Sequence, residues 1–154
     1  MTIYLLALLV GVVAGLRSMT APAMISWAAH LGWLRLSGTW LAFLGNAWTA
    51  WILTLLAVGE LFADQLPSTP SRKDPFPFGF RILSGAVCGA AIGTAGGTMM
   101  GGMVAGGVGA IIGTIGGHAL RARLAAAFRK DRPAAFIEDA IALVGAVLIG
   151  IALR

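Results

Sequence analysis

The stretch from Gly85 to Gly117 carries no charged residue and returns to glycine at nearly every third or fourth position. Gly85, Gly89, Gly93, Gly97 and Gly101 are spaced by four, and Gly102, Gly106, Gly109, Gly113 and Gly117 continue at spacings of three or four. On a helix such positions share a face, so these glycines make a groove without side chains. In water this would be a poor helix, because each glycine costs roughly 1 kcal/mol relative to alanine. In lipid the backbone must satisfy its own hydrogen bonds, and helix is the form in which an open chain does so. The groove then admits another helix at close range, the small-xxx-small mode of membrane packing. The stretch predicts tightly packed membrane helices, with Gly85, Gly89, Gly93, Gly97, Gly101, Gly106, Gly113 and Gly117 at the contacts.

Composition points the same way. Hydrophobic residues make up 58% of the 154 residues and charged residues 11%, with a mean hydropathy of +0.89, whereas soluble domains are about 25% charged. The predicted class is an all-α integral membrane protein, one transmembrane domain over residues 1–154 with five to six spans or half-spans. The net charge of +5 does not imply nucleic acid, because the basic residues lie between apolar segments and act as topology signals. Cys88 is the only cysteine, so it forms no intrachain disulfide and is expected to fill space. The apolar run 3–16 followed by Ala21-Pro22-Ala23 has the outline of a signal peptide. No basic residue precedes that run, however, and proline lies within the would-be cleavage site, so retention is expected.

Residues 3–34 are more than one span needs at about twenty residues, and Gly15, Arg17, Ser18, Thr20 and Pro22 mark a break. Half-helices or short spans are expected at 3–16 and 19–34. Trp33, Trp40, Trp48 and Trp51 suggest an aromatic belt before a span at 46–66. Pro67, Pro70, Pro75 and Pro77 predict a loop over 67–80 that excludes regular helix. Two spans, 81–98 and 101–119, need a break at Gly96-Gly97 or Gly101-Gly102. A basic loop at 119–133 precedes the last span, 134–153. The basic loops 67–80 and 119–133 fall on one side, which the positive-inside rule makes cytoplasmic. If 3–34 forms a hairpin, the chain becomes a 3+3 inverted repeat of the kind found in transporters; if it crosses once, the symmetry fails.

Few residues are equipped for chemistry. Arg17 lies between apolar runs, where a guanidinium must pair, meet water or snorkel; it is either an anion contact at a broken helix or an interfacial residue after a short one. Glu60 and Asp64 share a helix face and are candidates for cation or proton binding, with pairing to Arg72, Lys73 or Arg81 as the plainer alternative. Glu138 and Asp139 open the last helix, where the dipole favours acids. The candidate pathway comprises Arg17, Ser18, Thr20, Pro22, Glu60, Asp64, Arg81, Glu138 and Asp139. His30, His118 and Cys88 do not converge as metal ligands do, and the glycine run lacks the Lys-Ser/Thr of a phosphate loop. Neither catalysis nor a cofactor or metal is expected.

Gly15-Leu16-Arg17-Ser18, Gly59-Glu60-Leu61-Phe62-Ala63-Asp64-Gln65-Leu66-Pro67, Arg81 before a small-residue span and Ile137-Glu138-Asp139-Ala140 at the last helix occur in this order. In these features the chain resembles the bacterial membrane family catalogued as domain of unknown function 4126, over nearly its whole length. The resemblance implies a membrane protein and the same polar positions, and supplies no mechanism. The glycine run is also similar to glycine-zipper segments in general, a likeness of packing. The expected function is a small inner-membrane transporter or channel-like protein for a small solute or ion, assembled as a homo-oligomer, a dimer by preference. The alternative is a packing or assembly protein whose glycine grooves receive partner helices or lipid.

Overall fold

The structure, a computed structural model, describes residues 2–63 and 74–154. Among these are six α-helices: α1 Thr2–Leu16, α2 Thr20–His30, α3 Ala47–Ala63, α4 Pro75–Ala95, α5 Met99–Phe128 and α6 Asp131–Ala152, with a short 3-10 helix, Trp40–Gly45, before α3. The described residues contain no strand. α4, α5 and α6 are long and apolar enough to cross a membrane, whereas α1 and α3 are shorter apolar helices.

Two expectations about helix limits are corrected. Pro75 and Pro77 do not exclude helix, because α4 starts at Pro75 after Asp74 as N-cap. Proline is tolerated in a first turn, where the N–H lacks an intrahelical partner anyway, and Phe78 N donates to Asp74 O at 3.0 Å to begin the ladder. The remainder of the expected loop, 67–73, lies outside the described residues. The second correction concerns 119–133. Residues 119–128, rich in alanine, leucine and arginine, favour helix and continue α5 to Phe128. The connection to α6 is only Arg129, with φ 52°, and Lys130.

Helix directions follow from neighbours. Gly85 and Gly89 of α4 meet Gly106 and Gly102 of α5, and Gly93 meets Thr98 just before α5, in reverse order, so these two helices are antiparallel. Gly11 and Gly15 of α1 lie against Gly106 and Ala110, and Val12 lies against Gly113, so α1 runs parallel to α5. Along α6, Asp139 meets Arg17, Gly145 faces Val13 and Gly150 faces Met24 and Trp33. α1 thus runs against α6 and α2 runs with it, which makes α1 and α2 a hairpin whose tip is Arg17-Ser18-Met19. Glu60 bonds to Ser18 at this tip while Trp27 Nε1 donates to Thr54 Oγ1 at 2.9 Å further down, so α3 returns to the tip. α1–α3 and α4–α6 therefore have opposite senses. The glycines of α1 nevertheless face α5 rather than α2, so the intimate α4–α5 contact has no counterpart in the first half.

Glycine sets the helix separation at the centre. A Cβ built at Gly106 would overlap the Gly85 carbonyl, one at Gly89 the Gly102 carbonyl, and one at Gly113 the Val12 carbonyl. Backbone thus lies directly on backbone. Gly97 departs from its expected packing role: it has φ +72° and open space where a Cβ would stand, and it is the turn residue between α4 and α5. Gly101 meets the Tyr4 ring instead of a helix backbone, while Gly102 and Gly109 supply close contacts to Gly89 and Leu8.

Large apolar side chains lie on the surface of the bundle, and four charged residues, Arg17, Arg81, Glu138 and Asp139, lie inside it. Leu55, Val104, Val144 and Leu148 are 58–69% exposed, whereas Arg17 and Glu138 are fully buried. This distribution inverts the pattern expected of a domain in water.

Candidate functional site

Breaking a helix between Leu16 and Thr20 frees the last carbonyls of α1 and the first N–H groups of α2, which need partners when buried. Three helices supply them. Arg81 of α4 donates from Nη1 to the carbonyls of Gly15 and Leu16, at 2.7 Å each. Thr114 of α5 donates from Oγ1 toward Gly15 O at 3.2 Å and Ala110 O at 2.8 Å. Glu60 of α3 faces the start of α2: Oε1 accepts from Ser18 N at 2.9 Å and Ser18 Oγ at 2.8 Å, and Oε2 accepts from Met19 N at 2.9 Å. A cation therefore meets the negative end of α1 and an anion the positive end of α2, the favourable sense of both helix dipoles. Ser84 Oγ closes the tip by donating to Ser18 O at 2.6 Å.

The charges also pair with one another. Arg17 donates from Nε to Asp139 Oδ1 at 2.8 Å, makes a second contact to that oxygen through Nη2, and reaches Glu60 O from Nη1 at 3.4 Å. Arg81 Nη2 lies 3.5 Å from Glu60 Oε1. Among the described residues, two guanidiniums and two carboxylates thus meet in one cluster at the hairpin tip, with both arginines at least 95% buried. Burying isolated charges would cost many kcal/mol, and mutual pairing with hydrogen bonds is what makes it tolerable.

Glu138, also buried, sits beside this cluster under the bare face of Gly117, where an added Cβ would lie 3.0 Å from Glu138 Oε1. Its Oε2 is 3.8 Å from Arg121 Nη1, and Arg121 holds exposed Asp131 through bonds of 3.0 and 2.6 Å. A graded row of acids and bases therefore runs from the interior along α5 and α6 to the surface.

Of the nine candidate pathway residues, Arg17, Ser18, Glu60, Arg81 and Asp139 come together directly, and Glu138 flanks them. Thr20 begins α2 and is buried, its hydroxyl making no hydrogen bond among the described residues. Pro22 lies one position into the first turn beyond Ala21, so the irregular backbone is confined to the residues before Thr20. Asp64 lies outside the described residues. Ser84, Thr114 and Arg121 were not legible as partners. A single hydroxyl in an apolar helix signals only that it can bond across to a neighbour, and Arg121 was one of several basic residues in an expected loop. Among the described residues no three His, Cys, Asp or Glu side chains are placed to hold a metal ion.

The other end of the bundle, the base, carries the C-terminus of α2, the 3-10 helix and the end of α6. Arg35 and Arg154 are the charged side chains at this end among the described residues, both exposed. The described acids Glu60, Asp74, Asp131, Glu138 and Asp139 all belong to the tip end. Trp33 stands over Gly150 at the base, with exposed Trp40 and Trp48 nearby in sequence.

No curated protein and no solved structure matches the chain. A family model does match, over residues 4–152, and that span takes in every charged residue of the tip cluster. The chain belongs to the family described as domain of unknown function 4126.

Proposed function

We propose that this is a small membrane transporter or channel-like protein for a small solute or ion. In this reading it lies in the inner membrane of a bacterium, with the tip end cytoplasmic. The supporting observation is the buried cluster Arg17–Asp139 and Glu60–Arg81 at the break between α1 and α2. Apolar residues would fill that space at less desolvation cost, and ionisable groups at a broken helix within apolar spans are the usual marks of a solute pathway. The cluster is the barrier of a closed state, and opening exchanges its internal partners for solute and water. The opposite senses of α1–α3 and α4–α6 fit an inverted-repeat architecture. A homodimer completes the reading, because a bundle of six helices encloses little space alone.

Flux of protons, potassium and chloride into proteoliposomes, followed with ion-sensitive dyes, tests the proposal. The wild type is expected to exceed empty vesicles, and Arg17→Ala and Glu60→Gln to change that flux, while exposed Lys130→Ala leaves it intact. Wild-type flux no greater than that of empty vesicles sinks transport of these ions, and wild-type flux unchanged in both Arg17→Ala and Glu60→Gln sinks the role of the cluster in it.

A second reading, a packing or assembly protein without transport, draws support from one observation. Arg17, Asp139, Glu60 and Arg81 have partners within the chain, so the cluster serves as an internal fastener. The glycines foreseen as receptors for partner helices mostly face other helices of the same chain. An assembly partner would therefore dock on the outward apolar faces.

A further inference from the structure

A groove of about 440 Å³ runs between α2, α3 and α6, from Thr20 near the tip down to Trp33 and Ile151 at the base. Met24, Trp27, Val58 and Val147 are among its walls, and Val147 is 60% exposed, so the groove opens on the outer, apolar surface of the bundle. Its size falls within the range of small-molecule sites, roughly 300–1,000 Å³. None of its walls carries a charge.

Among the described residues, the charged side chains at the base end of this groove are of one sign. Arg35 follows groove-lining Trp33 by two positions, and Arg154 follows groove-lining Ile151 by three. Both are exposed, and the described acids lie at the opposite end of the bundle. An apolar trough ending at an indole, with two exposed arginines two and three positions along the chain from its lining, matches an amphiphile with an apolar tail and an anionic head. Arginine recognises phosphate by forked, charge-assisted bonds, and tryptophan favours the headgroup level of a bilayer.

We propose that the groove holds an acyl chain of an anionic phospholipid whose phosphate is bound at Arg35 and Arg154. The inference rests on the membrane setting of the preceding reading and not on transport, so a protein silent in flux assays leaves it standing.

Quenching of tryptophan by bromine-labelled acyl chains provides the test. The protein would carry Trp40, Trp48 and Trp51 as phenylalanine, which leaves the groove residues Trp27 and Trp33 as reporters. The replaced rings are 56–77% exposed, so the fold should persist. In phosphatidylcholine vesicles, brominated phosphatidylglycerol as a minor component is expected to quench at a several-fold lower mole fraction than brominated phosphatidylcholine. Arg35→Gln should remove most of that preference, and Val147→Phe, which narrows the trough, should weaken quenching by both lipids. Arg123→Gln, at the tip end, should leave the preference intact. Equal quenching by the two headgroups overturns the proposal, as does a preference that survives Arg35→Gln or vanishes equally in Arg123→Gln.

Discussion

Arg17 is fully buried, and Asp139 and the Glu60 carbonyl contribute to the free energy that keeps it charged there. Removing either member of such a pair strands the other, at a cost of about 3–5 kcal/mol. Arg17→Ala and Asp139→Ala are each expected to lower thermal stability in detergent by that order. The double variant should lose clearly less than the sum, because the second change removes a charge already stranded. Strict additivity in the unfolding measurements would mean that the pair is not energetically coupled. At this scale the sequence was informative about which residues are unusual and silent about how they join. Arg17, Glu60 and Asp139 stand out because ionised groups are rare in apolar segments. That Arg17 selects Asp139, and Glu60 the start of α2, depends on contacts across four helices, which no local pattern encodes.

Among the helices, glycine decides how closely neighbours approach, and its effect depends on which side it faces. Gly106 touches the Gly85 carbonyl, so Gly106→Ala would force α4 and α5 apart, at an expected cost of about 1–3 kcal/mol. Gly116 has open space around it, and Gly116→Ala should be neutral or stabilising by up to about 1 kcal/mol through helix propensity. Thermal melts of the two variants in the same detergent check this, and a loss at Gly116 equal to that at Gly106 would refute the packing account. The spacing of four along α4 made its close-packed face legible from the sequence. It did not reveal that Gly97 belongs to a turn, because a run of glycines has the same periodicity whether the chain continues or reverses. The prolines misled in the opposite direction: Pro75 and Pro77 look like helix breakers, yet the first turn of α4 has no use for the N–H groups they lack.

For the bundle as a whole, charge is segregated by end: Arg35 and Arg154 lie at the base and the other described charged residues toward the tip. If the tip end is cytoplasmic, Ser37→Cys at the base should react with a membrane-impermeant maleimide in intact cells. Arg129→Cys, between α5 and α6, should react only after lysis. Cys88, buried and the single native cysteine, should contribute little background, and the reverse labelling pattern would invert the topology. The sequence made this polarity legible through its basic runs, and the apolar spans through hydropathy. The return of α2 alongside α1 stayed open because it depends on α3 and α6, far away in the chain. That separation bears on biosynthesis. Asp139 follows Arg17 by 122 residues and Arg81 follows Gly15 by 66, so a ribosome delivers the first two helices long before their counter-charges. The earliest hairpin to be made is the last to be completed, and its arginine meets the Asp139 carboxylate only when the final helix arrives.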